Sequence, residues 1–303
     1  MNNFGIMVDS SCDLPTEYMK KNEIEVIPMP FSLDDVDHEG GYWQKISARD
    51  FYNRLNKGSM AKTSQVSPNT FSSSIRTYAQ KNQDLLLLAV SGVLSKTFEG
   101  ARSAVEQVKH DYPQANVRVV DTISASVGQG LLVMQAVNKR INGWTVDQTA
   151  DWLEEKKHYC FGFFTVDNLM YLHRGGRLSR ISAVAGSILG IKPVLNLAPN
   201  GSLALKDRAR GRKQALKLMV DQFVRSLDSQ TVVDTVLLSH TDCEEDARTL
   251  ASMLMATSKV RNTIVEMMGP IIGSHLGPGA VTLIFEANMT RQDYEDKFYP
   301  RKR

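Results

Sequence analysis

The 303-residue sequence is poor in cysteine, and its three cysteines, Cys12, Cys160 and Cys243, lie far apart along the chain. An odd number of cysteines without a C-x-x-C pair indicates neither a disulfide framework nor a zinc site. Sparse thiols are typical of a reducing compartment, so we expect a cytoplasmic protein. The first residues, MNNFGIMVDSSCDL, lack the basic and continuous apolar segments of a signal peptide.

Long hydrophobic runs and a strong net charge are also missing. The longest apolar stretch, 182–199, is interrupted by Lys192 and Pro193, which makes it too short to span a bilayer. The formal net charge of +3 is too small to predict nucleic-acid binding. Basic runs at 206–213 and 301–303 are interpreted as solvated faces, with a docking surface as the alternative. We expect no nucleic-acid partner and at most transient membrane contact.

Standard catalytic motifs are absent as well. The sequence contains neither a G-x-S-x-G nucleophile elbow nor a G-x-x-x-x-G-K-[ST] phosphate loop. Gly128-Gln-Gly130 continues into apolar residues, so it is not a dinucleotide fingerprint. No second histidine lies four residues from His110, His158, His173 or His240. The residues alone therefore predict no metal, no cofactor and no enzyme.

The first half of the chain alternates continuous apolar runs, typical of buried strands, with helical patterns. Predicted strands cover 4–8, 85–90 and 117–120, and predicted helices cover 67–78, 97–108 and 145–157. This alternation predicts an α/β domain over 1–157, with a mostly parallel sheet and right-handed crossovers.

After about residue 157 the pattern mixes hairpins and helices. Pro199-Asn-Gly201 separates two apolar segments and predicts a β-hairpin. Further predicted strands are 160–166, 232–239, 263–268 and 280–286, and predicted helices are 168–173, 182–189, 211–227 and 244–257. We therefore predict an α+β domain over 158–303.

The predicted parallel strands end in hydroxyl-rich loops, and ligands of open parallel sheets bind beyond such strand ends. These loops contain Asp9 and Ser10, Ser91 and Ser95, and Asp121 and Thr122, and the segment 62–65 is a fourth candidate. Structural alternatives stay open: Ser10 and Ser11 could cap a helix near Pro15, Ser67 is an N-cap, and Thr97 could lie on a helix face.

The segment 269–280, GPIIGSHLGPGA, places His275 among four glycines and two prolines. Because glycine permits close backbone approach and proline restricts the turn, we predict a rigid loop that holds the imidazole, with a simple tight turn as the alternative. Hydroxyl donors are offered by Thr63, Ser64, Ser95 and Thr97. Such donors, without fixed positive charge, suit a carboxylate that must be held and released.

Arg177 follows two glycines at a predicted helix end. It could satisfy the terminal carbonyl groups of that helix or anchor a domain interface.

The order and spacing of these motifs resemble those of the DegV proteins, fatty-acid-binding subunits that work with a dihydroxyacetone-kinase-like fatty acid kinase. The resemblance covers essentially the whole chain. The matching motifs are Val8-Asp-Ser-Ser11, Lys62-Thr-Ser-Gln65, Leu94-Ser-Lys-Thr97, Val120-Asp-Thr122, Leu169-x-x-Leu-x-x-Gly-Gly-Arg177, Ile191-Lys-Pro193 and Gly269-Pro-x-Ile-Gly-x-His-x-Gly-Pro-Gly-Ala280.

The resemblance implies an α/β/α domain, a mixed-sheet domain and one buried long-chain fatty acid whose carboxylate lies between them. It implies that Thr63 and Ser95 contact the carboxylate and that His275 lies near it. Arg210, with Arg212 as the alternative, matches an arginine implicated in kinase docking.

Two positions depart from the family pattern: Gly92 replaces a serine, and Lys96 replaces a glycine. A side chain at position 96 costs strain if φ is positive. We expect Lys96 to point to solvent, with a cation near the carboxylate as the alternative. The expected ligand-binding set is Thr63, Ser64, Ser95, Thr97, Arg177, His275, Ser10 and Gly92.

The leading hypothesis is a protein that holds a long-chain fatty acid in a buried tunnel and presents its carboxylate to a kinase for conversion to acyl phosphate. An esterase or thioesterase using Ser95 and His275 is the alternative, although no nucleophile elbow supports it. A carrier of another apolar carboxylate is a third hypothesis.

Overall fold

The computed structural model describes residues 4–38, 40, 43, 46–177 and 191–300. The strands are β1 (Gly5–Asp9), β2 (Ile24–Ile27), β3 (Phe31–Leu33), β4 (Val36–His38), β5 (Ala61–Thr63), β6 (Leu85–Ala89), β7 (Val117–Asp121), β8 (Cys160–Thr165), β9 (Ile191–Leu197), β10 (Leu203–Arg210), β11 (Val233–His240), β12 (Val260–Met267) and β13 (Val281–Glu286). The helices are α1 (Thr16–Lys21), α2 (Ala48–Asn56), α3 (Pro68–Gln80), α4 (Thr97–Asp111), α5 (Val127–Ile141), α6 (Val146–Lys156), α7 (Met170–Arg174), α8 (Arg212–Arg225), α9 (Glu244–Met255), α10 (Pro270–Leu276) and α11 (Arg291–Phe298).

The N-terminal sheet has the strand order β2-β1-β6-β7, and all of its pairs are parallel. Strand β6 is buried along its whole length because both faces of the sheet are covered. Leu86 and Leu88 pack with α5 and α6 on one face, and Leu85 and Leu87 pack with α3 and α4 on the other. This confirms the predicted parallel α/β architecture.

The C-terminal sheet is mixed and has the order β10-β9-β8-β13-β11-β12. Strands β9 and β10 form the predicted antiparallel hairpin, whereas β11 and β12 are parallel and connected through α9. Leu216, Phe223 and Leu250 cover one face of this sheet. On its other face, Leu237 and Ile284 pack in the same apolar cluster as α5. The two sheets are therefore joined by continuous apolar packing.

Several local predictions are confirmed and some elements were missed. Ser67 caps α3 through the backbone N–H of Thr70, and Thr145 forms a capping box with Gln148. The three-stranded antiparallel sheet β4-β3-β5 and the helices α2, α5 and α11 were not predicted. The predicted helix at 182–189 lies outside the described residues. No helix in the described parts of the chain is long and apolar enough to cross a membrane.

The predicted rigid loop at 269–280 is wrong, because residues Pro270–Leu276 form helix α10. Pro270 occupies the first turn of the helix, where its missing N–H costs nothing. Gly277, with a φ of +69°, ends the helix in a conformation that glycine adopts without strain. The glycines and prolines that suggested a loop thus lie at the two ends of a short helix, except Gly273, which lies inside it close to the hydroxyl of Tyr52.

One buried guanidinium connects the two sheets. The side chain of Arg291 is 1% exposed, and its Nη1 donates to the carbonyl oxygens of Ile123 (3.1 Å) and Ala198 (3.0 Å). Its Nη2 donates to the carbonyl oxygen of Lys157 (3.2 Å). Burial lowers the pKa of Arg291 to about 10. The loop after β7, the β9–β10 hairpin and the turn before β8 therefore meet at this side chain.

We predict that Arg291→Lys lowers the free energy of unfolding by about 3 kcal/mol, because one ammonium group cannot reach all three carbonyls and leaves a buried acceptor unpaired. Urea denaturation followed by circular dichroism measures the change. Arg225→Lys, at an exposed position, is the matched control. Equal stability of the two variants would contradict the prediction.

Candidate functional site

A cavity of about 350 Å³ lies where the carboxyl ends of the N-terminal parallel strands face the C-terminal sheet. Its walls are mostly apolar and include Phe163, Leu197, Leu203, Ile271, Ile272 and Ile284. The loops after β1, β6 and β7 contribute Ser11, Ser95 and Ser126, so three of the predicted loops do converge. Asp9 and Asp121, the last residues of β1 and β7, and Thr122 do not line the cavity.

One end of the cavity is polar. Thr63, the last residue of β5, has its Oγ1 2.7 Å from Nε2 of His275 in the last turn of α10. Ser64, Ser95 and Arg177 line the cavity beside this pair. Neighbouring strand β3 aligns Thr63 opposite Phe31, and this pairing sets its position. The structure therefore brings together five of the eight predicted ligand-binding residues.

The environment of His275 keeps its ring neutral. Burial, with a smaller contribution from the positive charge of Arg177, lowers the pKa of His275 to about 4. Its Nδ1 is buried and has no hydrogen-bond partner among the described residues. Gly175 allows the ring to fit, since a Cβ there would lie 2.4 Å from Nδ1. At neutral pH the imidazole is therefore a neutral donor or acceptor.

Arg177 fills both of its expected structural roles. Its Nη1 donates to the carbonyl of Gly175 at the end of α7, and its Nε donates to the carbonyl of Leu94 at 3.0 Å. The second contact crosses to the loop after β6. Burial lowers the pKa of Arg177 from its ordinary value. This arginine therefore holds the polar end of the cavity together.

The hydroxyl of Ser95 is 2.9 Å from that of Thr97 and accepts from the backbone N–H of Thr97 at 3.2 Å. Thr97 is fully buried, and its hydroxyl accepts from the N–H of Val66 at 3.4 Å. Ser95 lines the cavity, whereas Thr97 stands behind it as a support. Thr97 therefore orients Ser95 rather than facing the cavity.

Ser10 and Gly92 are likewise not part of the cavity wall. The hydroxyl of Ser10 accepts from the N–H of Met29 at 2.9 Å, and the N–H of Gly92 donates to the carboxylate of Asp121 at 3.2 Å. Both residues fix loops. Neither Ser10 nor Ser11 caps α1, whose first flanking residue, Pro15, has no side-chain cap.

Lys96 is exposed at the rim of the cavity, as expected, and its φ of −74° carries no strain. Lys96 therefore replaces the glycine of the family pattern without backbone strain.

Two carboxylates are buried beside the cavity: Asp9, which the strand-end pattern predicted to converge on the site, and Asp13, which was not predicted. Asp9 accepts from Ser11 and Val90, while Asp13 accepts from the N–H of Gly269 (2.8 Å) and the hydroxyl of Ser126 (2.6 Å). Burial raises the pKa of Asp13 to about 7 and also raises that of Asp9. Asp13 thereby fixes the start of α10. A single aspartate four residues beyond the end of β1 carries no sequence signal for this role.

The two candidate docking arginines differ in their surroundings. Arg210 ends β10 and is exposed. Arg212 is half-buried and forms ion pairs with Asp246 at 2.9 Å and Asp167 at 3.6 Å. Elsewhere, the described residues contain no group of three or more histidine, cysteine or acidic side chains that could hold a metal ion.

The parallel sheet, the mixed sheet and the cavity between them define a two-sheet α/β protein with an enclosed apolar site. The chain belongs to the DegV family, since the family model described as "Uncharacterised protein, DegV family" matches residues 3–288. This confirms the resemblance drawn from the motifs.

Known relatives share both sequence and fold. A DegV domain-containing protein of Clostridium perfringens is 35% identical over 285 residues, which cover 94% of this chain and 98% of the relative. A Thermus thermophilus DegV family structure, described as binding fatty acid, has a TM-score of 0.86 at 27% identity and covers 94% of this chain and 99% of its own. DegV of Bacillus subtilis, described as a fatty acid binding protein, has a TM-score of 0.78 at 25% identity, with coverage of 94% and 99%.

We predict that His275 in delipidated protein titrates near its pKa of about 4. A nearby carboxylate favours the charged imidazolium, so loading with fatty acid should raise this pKa. Proton–carbon NMR, with His275→Gln to assign the ring signal, follows the midpoint in both samples. The folded-state pKa of His275, about 4, lies below the unfolded value of 6.5. The free energy of unfolding of the delipidated protein should therefore decrease as the pH falls from about 6.5 to about 4, because the unfolded chain binds a proton there that the folded protein does not. An unchanged midpoint after loading would contradict the prediction.

Proposed function

We propose that this protein binds a long-chain fatty acid in the cavity and presents its carboxylate to a partner kinase. The observation that carries this proposal is an apolar cavity whose polar end is closed by the Thr63–His275 hydrogen bond. Family members from Thermus thermophilus and Bacillus subtilis that are described as fatty-acid-binding support it. Free cysteines at positions 12, 160 and 243 fit a cytoplasmic location.

Burial of the acyl chain supplies the affinity. Each CH₂ transferred from water contributes about 0.8 kcal/mol, so about ten buried methylenes contribute about 8 kcal/mol. A free energy of about 8 kcal/mol corresponds to a dissociation constant of about 1 μM, from which the entropic cost of binding must be subtracted. A long chain is therefore required, and the apolar walls at Phe163, Leu197 and Ile284 are suited to hold it.

The head group meets uncharged hydroxyl donors at a wall that Arg177 also lines. The hydroxyl of Thr63, which can accept from Nε2–H of His275, and the hydroxyl of Ser95 each offer one hydrogen bond to a carboxylate near the rim marked by Lys96. A bidentate arginine would bind more strongly and release more slowly. Moderate fixation fits a substrate that leaves after phosphorylation.

The partner kinase supplies ATP and Mg²⁺. One carboxylate oxygen attacks the γ-phosphorus, the bond to the β–γ bridging oxygen breaks, and acyl phosphate and ADP form. Within this step the present chain orients the carboxylate and excludes water from the acyl chain. The proposed chemistry needs no nucleophile from this chain.

The described residues do not favour the esterase alternative. Nε2 of His275 is bonded to Thr63 rather than Ser95, and no carboxylate of the described residues orients Nδ1. The hydroxyl of Ser95 is bonded to Thr97. A catalytic triad requires both a bond from the serine to the imidazole and a bond from the imidazole to a carboxylate.

Native mass spectrometry tests lipid binding directly. Protein purified from cells should carry an adduct with the mass of a fatty acid, and delipidated protein should recover the adduct when a long-chain fatty acid is added. Protein that arrives without an adduct and binds no added fatty acid would refute the proposal.

We predict that Thr63→Ala and Ser95→Ala each weaken fatty-acid binding by about 1–2 kcal/mol, roughly tenfold, through the loss of one hydrogen bond to a charged group. Competition with a fluorescent fatty acid measures this change. Ser73→Ala, at an exposed position on α3, is the matched control and should bind normally. Normal binding and normal phosphorylation in both site variants would remove these residues from the head-group site.

We predict that Arg210→Ala binds fatty acid normally but is phosphorylated poorly by the partner kinase, because an exposed cation at the end of β10 is available for docking. Product formation is followed with radiolabelled fatty acid. Arg225→Ala, which removes another exposed arginine, should behave as the wild type. Equal loss of binding and phosphorylation in Arg210→Ala would contradict a docking role.

A further inference from the structure

A chain of hydroxyl groups leads from the cavity wall to a buried carboxylate. Thr282 on β13 lies opposite Ser239 on β11, and their hydroxyl oxygens are 2.6 Å apart. The hydroxyl of Ser239 is 3.3 Å from that of Ser126, which is 2.6 Å from Oδ2 of Asp13. Thr282 and Ser126 line the cavity, whereas Ser239 and Asp13 lie fully behind it.

The carboxylate sets the direction of these hydrogen bonds. An ionised carboxylate only accepts, so Ser126 donates to Asp13. The oxygen of Ser126 can then accept from Ser239, and that of Ser239 can accept from Thr282. With the bonds in this order, each hydroxyl proton in the chain points away from the cavity. Hydrogen bonds aligned in this way polarise and strengthen one another.

Thr282 therefore presents an acceptor to the cavity. In the part of the chain that the structure describes, the hydrogen bond to Ser239 is the only one recorded for its hydroxyl. Once that proton is used, the oxygen still has capacity to accept. Ser11, also on the wall, similarly gives its proton to Asp9. The wall at these positions can accept hydrogen bonds but has no proton left to donate.

This arrangement is costly for a cavity that holds only methylene groups. Burying Asp13 without a cation carries a desolvation penalty, and the largest influence on its pKa is burial. Ser126 has a φ of +55°, which is strained for a residue other than glycine. Valine at position 282 would form a wall of similar shape without a hydrogen-bonding group. The polar wall thus suits a ligand that carries a hydrogen-bond donor along its chain.

We propose that the Thr282–Ser239–Ser126–Asp13 chain recognises a hydroxyl group on the acyl chain, so that the ligands of this protein include hydroxylated long-chain fatty acids. The inference rests on the proposed function, which places the carboxylate of the ligand at Thr63 and Ser95. The ligand hydroxyl donates to Oγ1 of Thr282 and extends the hydrogen-bonded chain. Recognition depends on the position of the hydroxyl, because the carboxylate is held at the other site.

The test compares octadecanoic acid with a set of monohydroxyoctadecanoic acids that differ in hydroxyl position. Binding to the delipidated full chain is measured by competition, at a pH above the pKa of Asp13. We expect one isomer, or a few adjacent ones, to bind about tenfold more tightly than the other isomers, which bury an unpaired hydroxyl. Thr282→Val, which removes the acceptor at nearly constant volume, should abolish this preference.

Two further variants separate recognition from folding. Ser126→Ala removes the hydroxyl that connects Ser239 to Asp13, and it should also abolish the preference. Thr165→Val is the matched control: Thr165 is buried on the adjacent strand β8, and its hydroxyl has no partner among the described residues. This control should keep the preference. Thermal denaturation of all three variants shows which of them remain folded at the assay temperature.

The outcomes are distinct. Equal affinity of the wild type for all the hydroxylated isomers would overturn this inference while leaving the proposed function intact. Retention of the preference in both Thr282→Val and Ser126→Ala would overturn it as well. Failure of octadecanoic acid and of every isomer to bind would instead refute the proposed function.

Discussion

The hydrogen bond between Thr63 and His275 is the constraint on which the site depends. It joins a short strand beside the N-terminal sheet to a helix that precedes β13 of the C-terminal sheet, 212 residues further along the chain. Burial beside Arg177 keeps the imidazole of this pair neutral. A charged ring at the same place would hold a carboxylate more tightly but would have to be desolvated without a partner when the ligand leaves.

Helix α10 carries His275 and is fixed at its start by the other half of the molecule. Asp13 accepts from the N–H of Gly269, and the hydroxyl of Tyr52 donates to the carbonyl of Met268 at 2.7 Å. On the opposite side of the cavity, Arg291 holds the β9–β10 hairpin against the loop after β7. Polar contacts between the two sheets therefore frame a cavity whose interior is apolar.

Much of the fold could be predicted, because strands buried on both faces, such as 85–89, leave a continuous apolar pattern. The strands β3, β4 and β5 were missed because three residues are too few to establish a period. The segment 269–280 was misinterpreted because glycine and proline mark both turns and helix ends, and local sequence does not distinguish them. Of the predicted site residues, Thr97, Ser10 and Gly92 proved to support loops, since their polar groups bond to neighbouring backbone or to Asp121.

The sequence by itself determined the parallel α/β half, the hairpin at 199–201 and the identity of the DegV family, because each depends on local periodicity or on motif order. Only the tertiary structure decided which hydroxyls face the cavity and which stand behind it. It also revealed Asp13 and the hydroxyl chain that ends on it, whose members Ser126, Ser239 and Thr282 are distant along the chain. Burial and hydrogen-bond direction arise from contacts between distant segments, and no local pattern encodes them.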